Sequence, residues 1–238
     1  MYRYFRTGHK YFKKSLTNSC QAFFIPIQFF KHINIYFLYV YILFTQPTIT
    51  MKKIGYLLLL LPLLLFAQEQ TNSEKFWQQL QAHCGKSYEG VITAGAVEGD
   101  GFSGEKLAMH VRWCEENTIR IPFFVGADKS RTWVLHLDEN KILSLKHDHR
   151  NPDGSEEELT QYGGISSNHG LENLQMFPAD AHTTEILPPA ATNLWWFTID
   201  ATSFTYNLRR IGSERLFSVR FDLTKTIETP PAPWGVKQ

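Results

Sequence analysis

Between residues 88 and 223 the apolar side chains recur at every second position, in short runs closed by turn residues. A β-strand sends successive side chains to opposite faces, so this pattern means strands with one face on a core. In KLAMHVRWC (106–114), Leu107, Met109, Val111 and Trp113 share a face. In TIRIPFFV (118–125) the set is Ile119, Ile121, Phe123 and Val125. Runs of the same kind occupy 88–94, 131–137, 142–150, 157–163, 193–200, 203–211 and 215–223, with a shorter one near 174–180. Turn signals such as ADKS, NPDG and GSE separate them. Strands so close in sequence pair antiparallel with their neighbours. The expected fold is all-β: an up-and-down, lipocalin-like barrel of 8–10 strands, with a β-sandwich as the alternative. Ahead of the strands, SEKFWQQLQAH (73–83) predicts one helix, with Ser73 as its cap and Phe76, Trp77 and Leu80 on one face. Gly85 follows its end. The proline-rich tail 229–238 is expected to run extended along the surface.

The first 67 residues differ in kind. MKKIGYLLLLLPLLLFA (51–67) has two lysines, an apolar run and a small residue before a polar segment, the plan of a secretory signal peptide cut after Ala67. The apolar run is short for a membrane span, which needs about 20 residues. A signal peptide belongs at an N-terminus, so translation is expected to start at Met51. Residues 1–50 are then a start-site error; a membrane-proximal segment around 33–44 is the alternative. The expected mature protein is a single secreted domain, 68–238, in the periplasm or outside a bacterial cell.

All eight Lys/Arg of residues 1–67 leave with the leader, so 68–238 keeps 16 against 23 Asp/Glu, a net charge of −7. An acidic domain without a basic stripe excludes nucleic acid as a partner class. Cys84 and Cys114 remain, an even number in an exported chain, and they are expected to form a disulfide.

The stretch KHDHRNPDGSEEE (146–158) is the densest set of chemically capable residues. NPDG favours a tight turn, Pro152 at its first corner and Gly154 where φ turns positive. In that register Asn151 meets Ser155, Arg150 meets Glu156 and His149 meets Glu157. Lys146, Asp148 and Arg150 then share an ionic outer face. His147 and His149 continue the inward stripe of Leu143 and Leu145, together with Glu157 and Leu159. Two imidazoles about 6.6 Å apart along a strand can converge on one divalent metal, and a carboxylate completes a familiar ligand set. His147, His149 and Glu157 are therefore the candidate metal ligands. His147, His149, Trp133 and Tyr162 are the candidate ligand-binding residues. His110 and His136 fall on the opposite faces of their strands, and His169 and His182 lie in loops. Arg112 and Arg120 alternate with apolar residues and are expected to face outward; an inward arginine would indicate an acidic ligand.

Nucleophilic chemistry has little to stand on. There is no G-x-S-x-G, and GDGFSGEK (99–106) lacks phosphate-loop spacing. The runs CGKSYEG, MHVRWC, IRIPFFVG, SRTWVL, LKHDHRNPDGS, TQYGG, FPAD and PPAPWG resemble an uncharacterised family of small secreted bacterial proteins, over nearly all of 76–235. The resemblance implies an exported single domain and carries no catalytic residues. In fold plan the chain is similar to lipocalins and to nitrobindin-like ten-stranded barrels. The expected function is binding of a small apolar or amphipathic ligand. One alternative is an envelope interaction protein with a filled core. A second is a metal-dependent enzyme built on His147, His149 and Glu157.

Overall fold

The computed structural model describes residues 69–236. The expectations for the leader and for residues 1–50 therefore lie outside the described residues. The chain begins with helix α1 (Asn72–Gln81). Its cap is Thr71, two residues ahead of the expected Ser73, because Thr71 has Glu74 three positions on. The two close a reciprocal capping box, each side chain accepting from the other's backbone N–H. Ser73 is instead fully buried and donates its hydroxyl to the Lys141 carbonyl at 2.5 Å.

Eleven antiparallel strands follow: β1 (Ser87–Ala94), β2 (Leu107–His110), β3 (Trp113–Cys114), β4 (Thr118–Val125), β5 (Asp128–Leu137), β6 (Leu143–His149), β7 (Tyr162–Ile165), β8 (Leu174–Pro178), β9 (Asn193–Ile199), β10 (Ser203–Arg210) and β11 (Leu216–Asp222). Their order in the sheet is β7-β6-β5-β4-β2-β1-β11-β10-β9-β8, with β3 extending β2 along β4. Neighbours in sequence are neighbours in space, and the β1–β11 pairing joins the two ends. The sheet thus curls into a nearly closed barrel, and the sandwich alternative falls away.

The seam lies between β7 and β8, where a single bridge joins Gly164 to Ala179. A Cβ at Gly164 would lie 2.0 Å from the Pro178 carbonyl oxygen, so only glycine allows the two backbones to approach this closely. The seam is sealed by a short helix, α2 (Ala181–Ile186), absent from the sequence expectation. Its buried Thr183 accepts from the Gly163 N–H at 2.6 Å and donates to the Gly163 carbonyl at 2.8 Å. An ion pair from Lys146 to Asp180 at 2.5 Å crosses the same seam. Backbone groups that an open edge would leave exposed are satisfied in this way.

Two departures from simple alternation matter. Met109 faces Phe123, but Trp113 faces Arg120, so one extra residue sits between β2 and β3. That one-residue slip turns Trp113 to the outer face, against expectation, and turns Cys114 inward opposite Ile119. Cys114 then bonds Cys84, with Cα atoms 6.2 Å apart. The second departure follows the NPDG turn. The turn itself has the expected register, with Arg150 bridged to Glu156, Asn151 N–H donating to the Ser155 carbonyl, and Gly154 at φ +89°. Beyond Glu157 the chain leaves the sheet, Leu159 is exposed rather than inward, and pairing resumes with Tyr162 opposite His147. The left-handed Gln161 (φ +59°) makes this re-entry.

Helix α1 buries Phe76, Trp77 and Leu80 in one end of the barrel, tied there by Ser73 to the β5–β6 turn and by Asn72 and Gln79 to the β7–β8 connection. The other end is not plugged by a helix. It carries the β1–β2 loop, the NPDG turn, the β4–β5 and β10–β11 turns, and α2. The C-terminal tail crosses the outer face near this end: Trp234 N–H donates to the Lys129 carbonyl, and Gly235 packs on Gly154 backbone to backbone. No helix among the described residues is long and apolar enough to cross a membrane.

Candidate functional site

The open end holds a cavity of about 160 Å³. One wall is a three-ring stack. Trp133 lies between Phe123 (centroids 4.7 Å apart, 15° between planes) and Tyr206 (4.6 Å, 14°). Trp195 forms another part of the wall and Phe217 a third. Phe102, from the glycine-rich β1–β2 loop, leans on Phe217 at 4.8 Å and closes one side. The four residues expected to bind ligand, His147, His149, Trp133 and Tyr162, all line this space.

Strand β6 positions the histidines and strand β7 the tyrosine. His147 stacks on Tyr162 at 4.7 Å and 12°. Its Nδ1 lies 3.1 Å from the Tyr162 carbonyl and its Nε2 lies 3.0 Å from the Tyr206 hydroxyl. A carbonyl only accepts, so Nδ1 carries the proton and Nε2 accepts from Tyr206. Burial pushes the His147 pKa down to about 3, with His149 adding to the shift, so the ring is neutral at ordinary pH. In its neutral form His149 accepts from the Tyr162 hydroxyl at Nε2, 3.1 Å away, and turns Nδ1 toward Glu157 at 3.5 Å. Burial and the Arg131 charge lower its pKa; Glu157 opposes them. Burial also raises the Tyr162 hydroxyl to about 12 and holds the Tyr206 hydroxyl well above its ordinary value.

The expected metal set does not assemble in this arrangement. Both ring nitrogens of His147 are engaged, Nδ1 by a carbonyl and Nε2 by Tyr206. Glu157 is half-exposed and reaches only His149. Among the described residues no group of three His, Cys, Asp or Glu side chains is placed to hold a metal ion. The physical reason is the stacking of His147 on Tyr162, which aims the imidazole across the barrel at Tyr206.

Sequence reasoning missed the polar groups of the rim. Arg131, Arg210, Arg215 and Asn193 all line the cavity. The signal was present: Arg131 stands two residues before inward Trp133, Arg210 two after inward Leu208, and Arg215 two before inward Phe217. Each continues an apolar stripe past the end of the core. Of the two arginines expected to face outward, Arg120 does so, paired with Glu115, and Arg112 lies over the outward Trp113 ring. Nothing in the sequence sets Trp195 and Tyr206 apart from the other strand aromatics, most of which fill the core and a minority of which can line a pocket.

The buried neutral His147 makes stability depend on pH in a definite direction. The unfolded histidine takes a proton near pH 6.5, whereas the folded one does so only near 3. Its contribution is therefore complete above about pH 6.5 and is lost as pH falls toward 3. Between pH 7 and 4.5 this one group is expected to remove about 2–3 kcal/mol. His83, His110 and His149 are shifted down by burial too, so the group is isolated by His147→Gln. Urea unfolding at the two pH values should show the variant losing less stability than the parent; equal losses would refute the assignment.

No family model and no curated protein matches the chain, so the likeness to a secreted bacterial family gains no support there, while its fold-level part, an antiparallel and nearly closed β-barrel, describes the molecule.

Proposed function

We propose that the protein is an exported binding module that holds a small apolar or amphipathic molecule in the open end of its barrel, against Trp133, Tyr162, His147 and His149. The observation that carries this reading is the cavity: about 160 Å³, walled by aromatic rings, with a few fixed polar groups. A dry apolar cavity of about 150 Å³ is enough for a benzene ring, so the buried part of the ligand is about one ring in size. The alternative of an envelope partner with a filled core requires an interior without this space. Export is supported by the Cys84–Cys114 bond, since disulfides persist in oxidising compartments.

Phenol and indole serve as neutral ring-sized probes. Phenol should change the intrinsic fluorescence of Trp133 and Trp195 saturably, and indole should show a saturable heat in calorimetry. Leu187→Trp, which places a large ring at the mouth, should weaken both by at least about tenfold. Linear, non-saturating responses to both probes would sink the proposal.

A further inference from the structure

We infer that the ligand is a small planar organic acid whose carboxylate is held by Arg210 and Arg215, with Arg131 across the rim; this rests on the binding-module reading above. Arg210 and Arg215 are cross-strand neighbours, the Arg210 N–H donating to the Arg215 carbonyl at 3.0 Å. Like charges placed opposite one another on a sheet repel. Here both side chains also line the same cavity. Neither makes an ion pair among the described residues. Arg210 is held in place by a neutral acceptor, Nε donating to Asn193 Oδ1 at 2.9 Å. Arg131 is partly neutralised by Asp128 and lies over the Phe102 ring at 5.2 Å. On the histidine side Glu157 is turned to His149, and the Asp128 charge also acts on that ring. A domain of net charge −7 thus gathers two uncompensated guanidinium groups at the mouth of its aromatic cavity.

A second observation points the same way. Trp195 is 1 % exposed and lines the cavity, and its Nε1–H, which acts on the Tyr206 hydroxyl, meets no acceptor in full hydrogen-bond geometry. A buried donor without an acceptor is costly. A ligand bringing acceptor oxygens supplies one, and guanidinium groups bind carboxylates in a two-pronged fashion. The rings of Trp133, Tyr206 and His147 line the cavity, and an aromatic body packs well against such a wall.

The test compares benzoate with its neutral analogue benzamide, its cationic analogue benzylamine, and inorganic phosphate, by calorimetry on the purified protein. Benzoate should bind at least about tenfold tighter than benzamide, and benzylamine should not bind. Raising salt should weaken benzoate and leave benzamide unchanged. The double variant Arg210→Gln/Arg215→Gln should lose the preference for benzoate and keep benzamide binding. If the double variant does not fold, Arg215→Gln alone, at an exposed position, should reduce the preference severalfold. Equal binding of benzoate and benzamide would overturn the inference and leave the binding-module reading intact. Phosphate binding as tightly as benzoate would overturn it in favour of an inorganic anion. Binding of none of the four would overturn it, and failure of phenol and indole as well would overturn the underlying reading.

Discussion

Replacing Trp133 by alanine is expected to destabilise the barrel by about 3–5 kcal/mol, the usual cost of emptying an aromatic site in a packed core. Trp133 is 2 % exposed and touches four other rings: Phe123 and Tyr206 in parallel stacks, Phe197 and Phe221 edge-on. Each well-placed ring pair adds roughly 0.5–1.5 kcal/mol beyond buried area. Strands β4, β5, β10 and β11 surround the gap and are fixed by their ladders, so they cannot collapse into it. For a domain of this size the melting temperature should fall by roughly 10 °C. Trp133→Phe, which keeps one ring of the stack, should recover about half. Because Trp133 is also cavity wall, the alanine variant should admit a two-ring probe such as 2-naphthol that the parent refuses. A loss below about 1 kcal/mol by urea unfolding would mean that the stack is not a stabilising element.

Breaking the Cys84–Cys114 bond is expected to cost about 3–4 kcal/mol, from the entropy regained by an unfolded chain freed of a loop 30 residues long. The bond has a second role in this topology. It fastens the connection between α1 and β1 to the strand pair β3–β4, and so holds the helix that plugs the closed end. Cys84 is exposed, so a mild reductant reaches it without prior unfolding. Thermal melts with and without dithiothreitol, beside a Cys84→Ala/Cys114→Ala variant, should agree on a fall of roughly 10 °C. The variant should melt identically in both conditions. A parent that is insensitive to reductant and equal in stability to the variant would show that the bond contributes nothing.

Much of this architecture was legible in the chain. The stripe Ile119, Ile121, Phe123, Val125 placed β4 to the residue, because a strand buried on one face has no other way to satisfy period two. The NPDG turn fixed the register of the hairpin at Arg150 and Glu156, because one positive-φ glycine and one proline leave few turn geometries. Elsewhere local pattern was overridden. Between Val111 and Trp113 the alternation continues without interruption, yet the backbone inserts a residue, and no side chain announces it. The gain is a cysteine turned inward to its partner, an interaction with a residue 30 positions away. The segment 157–163 read as a continuous strand. In the barrel Gly163 and Gly164 must approach β6 and β8 closely, so the strand shrinks to the glycines and their flanks.

The candidate site divides in the same manner. By itself the sequence determined that His147 and His149 point inward near one end of a barrel, since strand parity is local and the turn fixes where the strand stops. It could not say what the imidazoles meet, because Tyr206 is 59 residues from His147 and reaches it only across the closed barrel. Closure decided that contact, and with it the loss of a free nitrogen for metal. It also gathered Arg131 from β5, Arg210 from the end of β10 and Arg215 from the β10–β11 turn onto one rim. The reason is geometric: alternation assigns each residue a face, but only the order of strands around the barrel assigns it neighbours.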